Sequence, residues 1–278
     1  MIQRLSKSKI IALQNCPLGY WFKYISGLKK TDKSDDKFQI AGLTVHDKLD
    51  KIYDLVEDNI YDMAVIDQIF LLDQAYGKSE SGNPESDEII DRGRDNFIDW
   101  QLNMNKKIGA FYRPHEKEQH VQFRINQDFI DRFVGDRKGS NADKIRAAKR
   151  LSQSYCVHGY IDRIDYIDGE YSIMDYKSKT SSVKAWELAL YAIMASVDLE
   201  YPISHVSCWG YKDNSYFYRK LTVNNINFAL LKILEYDRNL ARYKRLGFKK
   251  IENKWSCGWC EYKQLCETIK KSDTIMED

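Results

Sequence analysis

The sequence predicts an α/β protein in which helices flank a central mixed β-sheet. Segments with alternating apolar and polar residues predict strands at 116–125, 158–179 and 203–223. Longer segments with apolar residues three and four positions apart predict the helices between and around them. The chain has 278 residues, of which 43% are hydrophobic, so it can bury a sizeable core.

We expect one domain over residues 1–278. Its three parts are a mainly helical N-terminal part (1–115), a catalytic sheet core (116–223) and a C-terminal helix followed by a cysteine-rich segment (224–278).

Helical patterns dominate the N-terminal part. A serine-capped helix is predicted from about Lys7, and Pro17 interrupts it. Apolar spacing predicts an amphipathic helix over about 35–57, with His46 near its middle. Two more helices are predicted over 61–76 and 88–107.

Residues His158–Lys179 are predicted to form a β-hairpin around which the sheet is built. Asp168-Gly169 is typical of a two-residue type I′ turn between two alternating strands. In that register Asp162 faces Asp175, and all such pairs project from one, mostly apolar face. The other predicted pairs are Ile164 with Ile173, Tyr166 with Tyr171, and Tyr160 with Lys177.

The opposed acids of the hairpin predict a metal site. Two carboxylates on an apolar face repel and resist ionisation unless a cation lies between them, and a divalent metal ion would be that cation. Lys177 points the same way as Asp175 and could bind a scissile phosphate or orient an attacking water. The alternative is a strand pair whose acids and lysine face solvent.

Residues 126–154 are predicted to contain a short basic helix before the hairpin. Its cations could contact DNA phosphates, although an ordinary exposed helix explains them nearly as well. They are Arg137, Lys138, Lys144, Arg146, Lys149 and Arg150.

Two helices and a second hairpin are predicted after the first hairpin. Ser181 or Ser182 is expected to cap a helix that ends near Val197. Residues 203–211 and 216–223 predict the hairpin. A helix over about 224–246 is expected to direct four residues inward, namely Phe228, Leu231, Ile233 and Leu234.

Gly159-x-x-Asp162 followed by Ile173-Met174-Asp175-Tyr176-Lys177 resembles the core motif of PD-(D/E)XK nucleases, in their RecB-like exonuclease branch. The resemblance implies a restriction-endonuclease-like core in which Asp162 and Asp175 hold Mg²⁺ or Mn²⁺. It also implies that the Tyr176 carbonyl is a ligand and that Lys177 assists the nucleophilic water.

Four further residues are related to the site by this resemblance. Gly42-x-x-x-His46 is similar to the family's helical Gly-x-x-x-His, which implies His46 as a metal ligand. Glu187-x-x-x-Tyr191 stands where the family has Gln-x-x-x-Tyr beside the metal, so these two are expected to be auxiliary site residues. The glutamate adds a possible carboxylate ligand. Glu118, on the strand at 116–125, could be another family carboxylate.

Three of the six cysteines lie close together in the sequence Cys257-x2-Cys260-x5-Cys266. A tetrahedral zinc ion or a four-iron cluster usually has four thiolate ligands, so one more is needed. Cys156 lies by the hairpin and Cys208 in an apolar strand, where cysteine usually behaves as a small buried hydrophobe. Cys16 is the remaining candidate.

Cys16-Pro17 together with this distant cysteine motif resembles the iron–sulfur nucleases of the same superfamily, which include AddB-like and CRISPR-adaptation nucleases. The resemblance implies a [4Fe-4S] cluster on Cys16, Cys257, Cys260 and Cys266 that joins the N- and C-terminal segments. Structural zinc and reduced thiols are the alternatives.

The expected function is metal-dependent hydrolysis of DNA, with an exonuclease acting on single strands or ends in recombination, repair or DNA processing. Helicases or other DNA-processing proteins are the expected partners. No apolar run approaches the ~18 residues of a membrane span, so we expect no membrane association and a cytoplasmic location. The alternatives are a CRISPR-adaptation nuclease that trims DNA fragments and a catalytically inactive iron–sulfur DNA-binding module.

Overall fold

The structure is a computed structural model. It describes residues 3–29, 37–126, 129, 155–251, 257–258, 260–269 and 274–275. The predicted basic helix that carries Arg137 and Arg150 lies outside these residues. None of the described helices has the length and apolar character that a membrane span requires.

The described chain contains eight strands and eight α-helices with the following bounds. The strands are β1 Gln3–Leu5, β2 Glu116–Arg124, β3 Tyr155–Ile167, β4 Glu170–Lys177, β5 Ile203–Gly210, β6 Ser215–Lys220, β7 Phe248–Lys249 and β8 Thr274–Ile275. The helices are α1 Lys7–Asn15, α2 Pro17–Tyr24, α3 Lys37–Leu55, α4 Val65–Tyr76, α5 Pro84–Ile108, α6 Ala185–Asp198, α7 Val223–Leu246 and α8 Lys263–Glu267.

Six of the strands form the predicted mixed sheet. Its order is β1-β3-β4-β5-β6, and β2 also pairs with β3. The pairs β1–β3 and β4–β5 are parallel, whereas β3–β4 and β5–β6 are antiparallel. The α/β class with a central mixed sheet and flanking helices is therefore confirmed, and it is consistent with a restriction-endonuclease-like core.

The β3–β4 hairpin has the register that its turn predicts, from Ile167↔Glu170 as far as Arg163↔Met174. Asp168 and Gly169 have φ values of 52° and 81°, as both central residues of a type I′ turn require. The backbone ladder ends at Arg163 and Met174, so the predicted pair of Asp162 with Asp175 lies just beyond it. The strands separate where their acids lie.

The chain divides into two compact units. Unit 1 contains residues 1–35, 122–159 and 227–278, and unit 2 contains residues 36–121 and 160–226. The prediction of a single domain stays a prediction.

Unit 2 has an aromatic core between its helices and its strands. Tyr53 of α3, Phe97 and Trp100 of α5, and Tyr176 and Trp209 of the sheet are all buried in it. Gly93 permits close packing of α5, since a Cβ there would lie 3.3 Å from Val45 Cγ2. This packing fixes α3 against the strands of unit 2.

Unit 1 has its own core, in which α2 contacts the C-terminal segment. Leu18, Phe22 and Tyr262 are buried together. The hydroxyls of Tyr20 and Tyr236 are 2.6 Å apart, and Tyr20 also stacks on Phe248.

Two details of the predicted helices are wrong. Ser182 belongs to a 3-10 turn, Thr180–Ser182, and donates to the Lys179 carbonyl, so neither Ser181 nor Ser182 caps α6, which begins after Lys184. In α7, Ile233 and Leu234 are buried as predicted, but Phe228 and Leu231 are 45% and 43% exposed.

Candidate functional site

Helix α3 and the β3–β4 hairpin bring together three of the predicted ligands within unit 2. His46 Nε2 donates to the Tyr176 carbonyl oxygen at 3.2 Å, and His46 Nδ1 lies 3.5 Å from Asp162 Oδ1. Neighbouring ligands of a six-coordinate ion at about 2.1 Å lie about 3 Å apart. The spacing of His46 Nε2 and the Tyr176 oxygen therefore fits two ligands of one ion.

Beyond the end of the β3–β4 ladder, the side chain of Asp162 on β3 forms a hydrogen bond with the backbone of Tyr176 on β4. Its Oδ2 accepts a hydrogen bond of 2.7 Å from the backbone N–H of Tyr176. Burial alone would raise the pKa of Asp162, but the charge and hydrogen bond of His46, the charge of Lys177 and the Tyr176 N–H hold it below its ordinary value. Asp162 is therefore an anion at neutral pH.

The pKa of His46 is shifted in the opposite direction to the pKa of Asp162. Burial lowers its pKa, but the charge of Asp162 and the hydrogen bond to it outweigh burial, and the net pKa is raised. Without a metal ion, a proton on His46 compensates the charge of Asp162. A divalent cation would replace that proton.

Asp175 and Lys177 lie on β4, beside these residues. Asp175 is buried, and Lys177 Nζ forms an ion pair with its Oδ2. Lys177 Nζ also donates to the Tyr176 carbonyl oxygen at 3.4 Å. The ammonium group thus lies next to both an acid and a carbonyl that are predicted metal ligands.

The two auxiliary residues lie on α6, and both are buried. Burial raises the pKa of the Tyr191 hydroxyl, and the charge of Asp175 raises it further. Glu187, one helical turn earlier, adds to the same effect. Tyr191 is therefore a neutral neighbour of the acid pair.

Glu118 also lies at this site. It and His46 and Asp162 each offer one ligand atom within 4.8 Å of the others, and among the described residues they are the three His, Cys, Asp or Glu side chains that meet this distance. Asp175, whose Oδ2 pairs with Lys177, lies outside this group of three. Desolvation, followed by the charge of Asp162, raises the pKa of Glu118 to about 7. The three residues line one side of a cleft of about 600 Å³.

Behind the acids, the opposite face of β3 carries a buried ion pair that the sequence reasoning missed. Arg163 Nε donates to Asp165 Oδ1 at 2.5 Å, and both side chains are buried. Arg163 also donates to the Tyr53 hydroxyl on α3, and its guanidinium lies 4.3 Å from the ring centroid of Tyr112. The Arg163-Ile164-Asp165 sequence of β3, which places opposite charges on the same face of a strand, is the signal that could have revealed it.

The ion pair connects the elements that carry the predicted ligands. Tyr53 follows His46 by two turns of α3, and Arg163 follows Asp162 on β3. Burial raises the pKa of the Tyr176 hydroxyl, and the nearby charge of Arg163 opposes this rise. Arg163 therefore contacts residues from all three elements at once.

Four cysteines form the second candidate site, within unit 1. Cys16, Cys260 and Cys266 pack around the buried Leu18, Phe22 and Tyr262. Burial raises the pKa values of the Cys260 and Cys266 thiols, and Cys16 and Cys257 raise both further. Cys16 and Cys257 therefore both lie within electrostatic reach of Cys260 and Cys266, and these thiols fit a group that brings positive charge.

The other two cysteines are in different surroundings. Cys208 pairs with Asp175 across β4 and β5, and burial raises its pKa to about 12. Cys156 donates to Gln122 Oε1 at 3.6 Å. Neither packs in the cluster that contains Cys16.

Comparison with known proteins gives one family. The family model of the PD-(D/E)XK nuclease superfamily matches residues 4–267. The solved structure of SSO0001 shares 13% identity with the chain, covers 83% of it and 97% of its own chain, and has a TM-score of 0.33. No curated protein sequence matches the chain.

Proposed function

Because the chain belongs to the PD-(D/E)XK nuclease superfamily, whose members are metal-dependent nucleases, we propose that it is a DNA exonuclease acting on single strands or on DNA ends. The observation that carries the proposal is the convergence of His46, Asp162 and the Tyr176 carbonyl beside the Asp175–Lys177 ion pair. These residues come from α3, β3 and β4, so only the folded chain assembles them.

In this proposal His46, Asp162, Asp175 and the Tyr176 carbonyl oxygen hold one Mg²⁺ or Mn²⁺ ion. A divalent ion bound there polarises the phosphate and lowers the pKa of water. Asp162 is suited to this role because its pKa lies below the ordinary value, which leaves it charged and able to bind.

In the proposed mechanism, Lys177 contacts the phosphate or the attacking water. Its ammonium pairs with Asp175 and contacts the Tyr176 carbonyl. With a divalent ion held by these two oxygens, the ammonium of Lys177 would be available to a phosphate oxygen or to the attacking water. Tyr191 is buried and neutral, and it lies close enough to Asp175 for that charge to raise its pKa further.

The test uses end-labelled single-stranded and double-stranded DNA with Mn²⁺ or Mg²⁺. We expect nucleotides to be released from ends by the wild type and no cleavage by Asp175→Ala. Asp168→Asn is the matched control, because it removes a carboxylate from the exposed turn of the same hairpin, where φ is 52° and asparagine is tolerated. Cleavage by Asp175→Ala at the wild-type rate would refute the assignment, whereas cleavage of closed circles would refute the exonuclease proposal.

We also propose that Cys16, Cys257, Cys260 and Cys266 bind a [4Fe-4S] cluster with a structural role. Three of these residues pack in one hydrophobic cluster. Burial raises the pKa of the Cys260 and Cys266 thiols, and the nearby Cys16 and Cys257 raise both further, which supports a shared cationic group.

Anaerobic purification tests the cluster. We expect brown protein with about four irons and four sulfides per chain. Colourless protein with one bound zinc would refute the cluster but retain the four ligands.

The proposed biological setting is recombination or repair, with helicases or other DNA-processing proteins as partners. Its support is the resemblance of the cysteine pattern to iron–sulfur nucleases of the superfamily. Co-purification of a helicase with the tagged, anaerobically prepared protein would test it.

A further inference from the structure

Glu118 has no role in the nuclease mechanism proposed above, yet it lies against two of its metal ligands. Its carboxylate is within 4.8 Å of ligand atoms of both His46 and Asp162. None of the ion pairs formed by the described residues includes Glu118. The nearest basic residue along the strand, Lys117, instead pairs with Asp50 and Asp54.

The backbone at Glu118 has an unusual, strained conformation. Its φ is 48°, in the left-handed region, although it lies within β2. L-residues other than Gly, Asn and Asp rarely adopt this conformation, and such strain occurs most often at functional sites. The local reversal interrupts the alternation of β2.

Glu118 is an exposed side chain in a cleft that three other acids also line. Asp47, Asp50, Glu118 and Asp162 all line the same cleft of about 600 Å³. Asp47 pairs with Lys51, and Asp50 lies 3.6 Å from Lys117, so these two acids are compensated within the chain. Asp162 has His46 as its partner. Glu118 is the acid of the cleft for which the described residues provide no ion pair.

We propose that Glu118 is a direct ligand of the divalent ion at His46 and Asp162, and that it makes this centre selective for Mn²⁺ over Mg²⁺. The inference rests on the proposed function, which places an ion at these residues. With Asp175 and the Tyr176 carbonyl, Glu118 gives the ion five ligands from the protein. Mg²⁺ gives up its waters reluctantly and is usually bound through one or two carboxylates, so a site with three carboxylates and an imidazole disfavours it.

Equilibrium binding of Mn²⁺ tests the inference without relying on activity. The loss of free Mn²⁺ signal in electron paramagnetic resonance is measured for the full chain, for Glu118→Gln and for Asp47→Asn. Asp47→Asn is the matched control, because it removes the same charge from the same cleft outside the three-residue group. We expect Glu118→Gln to weaken Mn²⁺ binding by about 10–100-fold and the control by less than about threefold, in keeping with the effects of changes around metal sites.

Metal preference provides a second measurement. Competition with Mg²⁺ should show that Glu118→Gln loses more affinity for Mn²⁺ than for Mg²⁺. Glu118→Asn is measured in parallel, because asparagine tolerates the left-handed backbone and keeps the strand intact. Mn²⁺ binding by both variants as tight as in the Asp47→Asn control would overturn the inference.

The inference and the proposed function can fail separately. If Glu118→Gln weakens Mn²⁺ binding but the wild type cleaves no DNA, the ligand stands and the DNA nuclease proposal fails. If the wild type degrades DNA and Asp175→Asn weakens Mn²⁺ binding while Glu118→Gln does not, the nuclease stands and the role of Glu118 fails.

Discussion

At the scale of single residues, Lys177 and Asp175 lie two positions apart on one strand, but substitutions of the two should impair the protein in different ways. Asp175 is buried, and in the metal-free protein the ammonium of Lys177 compensates its charge. Lys177→Ala should abolish most turnover while weakening Mn²⁺ binding far less than Asp175→Ala does. Rates on labelled DNA and Mn²⁺ titrations, made side by side, check this difference. Equal losses of metal affinity would show that Lys177 mainly holds Asp175 in place.

Glu118 predicts a dependence of stability on pH in the metal-free protein. Its pKa rises from 4.5 to about 7 on folding, so between these values the folded state binds the proton more tightly than the unfolded state. Stability is therefore lost as the pH rises through this window. We expect the melting temperature, measured with chelator at pH 5.5 and pH 8, to fall less in Glu118→Gln than in the wild type. An identical fall in both would contradict the electrostatic account.

The sequence predicts Asp162, Asp175, Lys177 and His46 as site residues because local motifs carry them. Glu118 was predicted only as a further carboxylate. Its position could not be derived, because the neighbouring sequence does not indicate that this residue has a left-handed backbone conformation within an alternating strand. The buried Arg163 was missed for a different reason. The metal site was predicted from the two opposed acids on one face of β3, and Arg163 lies on the other face.

At the scale of secondary-structure elements, the hairpin was predictable because a two-residue turn fixes the register of every later pair. Its φ values and its pairs as far as Arg163↔Met174 agree with that prediction. The buried face of α7 was predictable only in part. The choice of Phe228 and Leu231 followed hydrophobicity. Five buried residues instead recur at alternating spacings of three and four along the helix, namely Ile226, Ala229, Ile233, Tyr236 and Leu240, and Leu234 is buried beside Ile233.

The Arg163–Asp165 ion pair should contribute to the stability of the packing between α3, β3 and β4. Arg163→Met leaves the Asp165 carboxylate buried without its partner, which should reduce the free energy of unfolding by about 3–5 kcal/mol. Adding Asp165→Leu should recover most of this loss, because a matched apolar pair leaves no unpaired charge. Urea unfolding of the wild type and both variants measures the effect. A double variant as unstable as the single one would show that the aromatic contacts of Arg163 matter more than its ion pair.

At the scale of the whole molecule, the proposed cluster closes a loop between Cys16 and Cys257. A cross-link over so long a loop should stabilise the fold by about 3–5 kcal/mol through loop-closure entropy. Cys16→Ser should therefore bleach the protein and lower its melting temperature. Cys156→Ser is the control, because that thiol contacts Gln122 and does not pack with Cys16. Full iron content in Cys16→Ser would refute the assignment of Cys16.

The division of the chain into interleaved segments also determines the order in which the parts become available during synthesis. Unit 2 is complete once residue 226 has been made, whereas unit 1 needs residues 227–278. At about 5–20 residues per second, a ribosome takes roughly 10–50 s to proceed from Cys16 to Cys257. Every proposed ligand of the divalent ion is therefore translated before the second cluster cysteine exists. The nuclease centre can mature on the nascent chain, while Cys16 must be kept reduced until iron and sulfide are delivered to all four thiols.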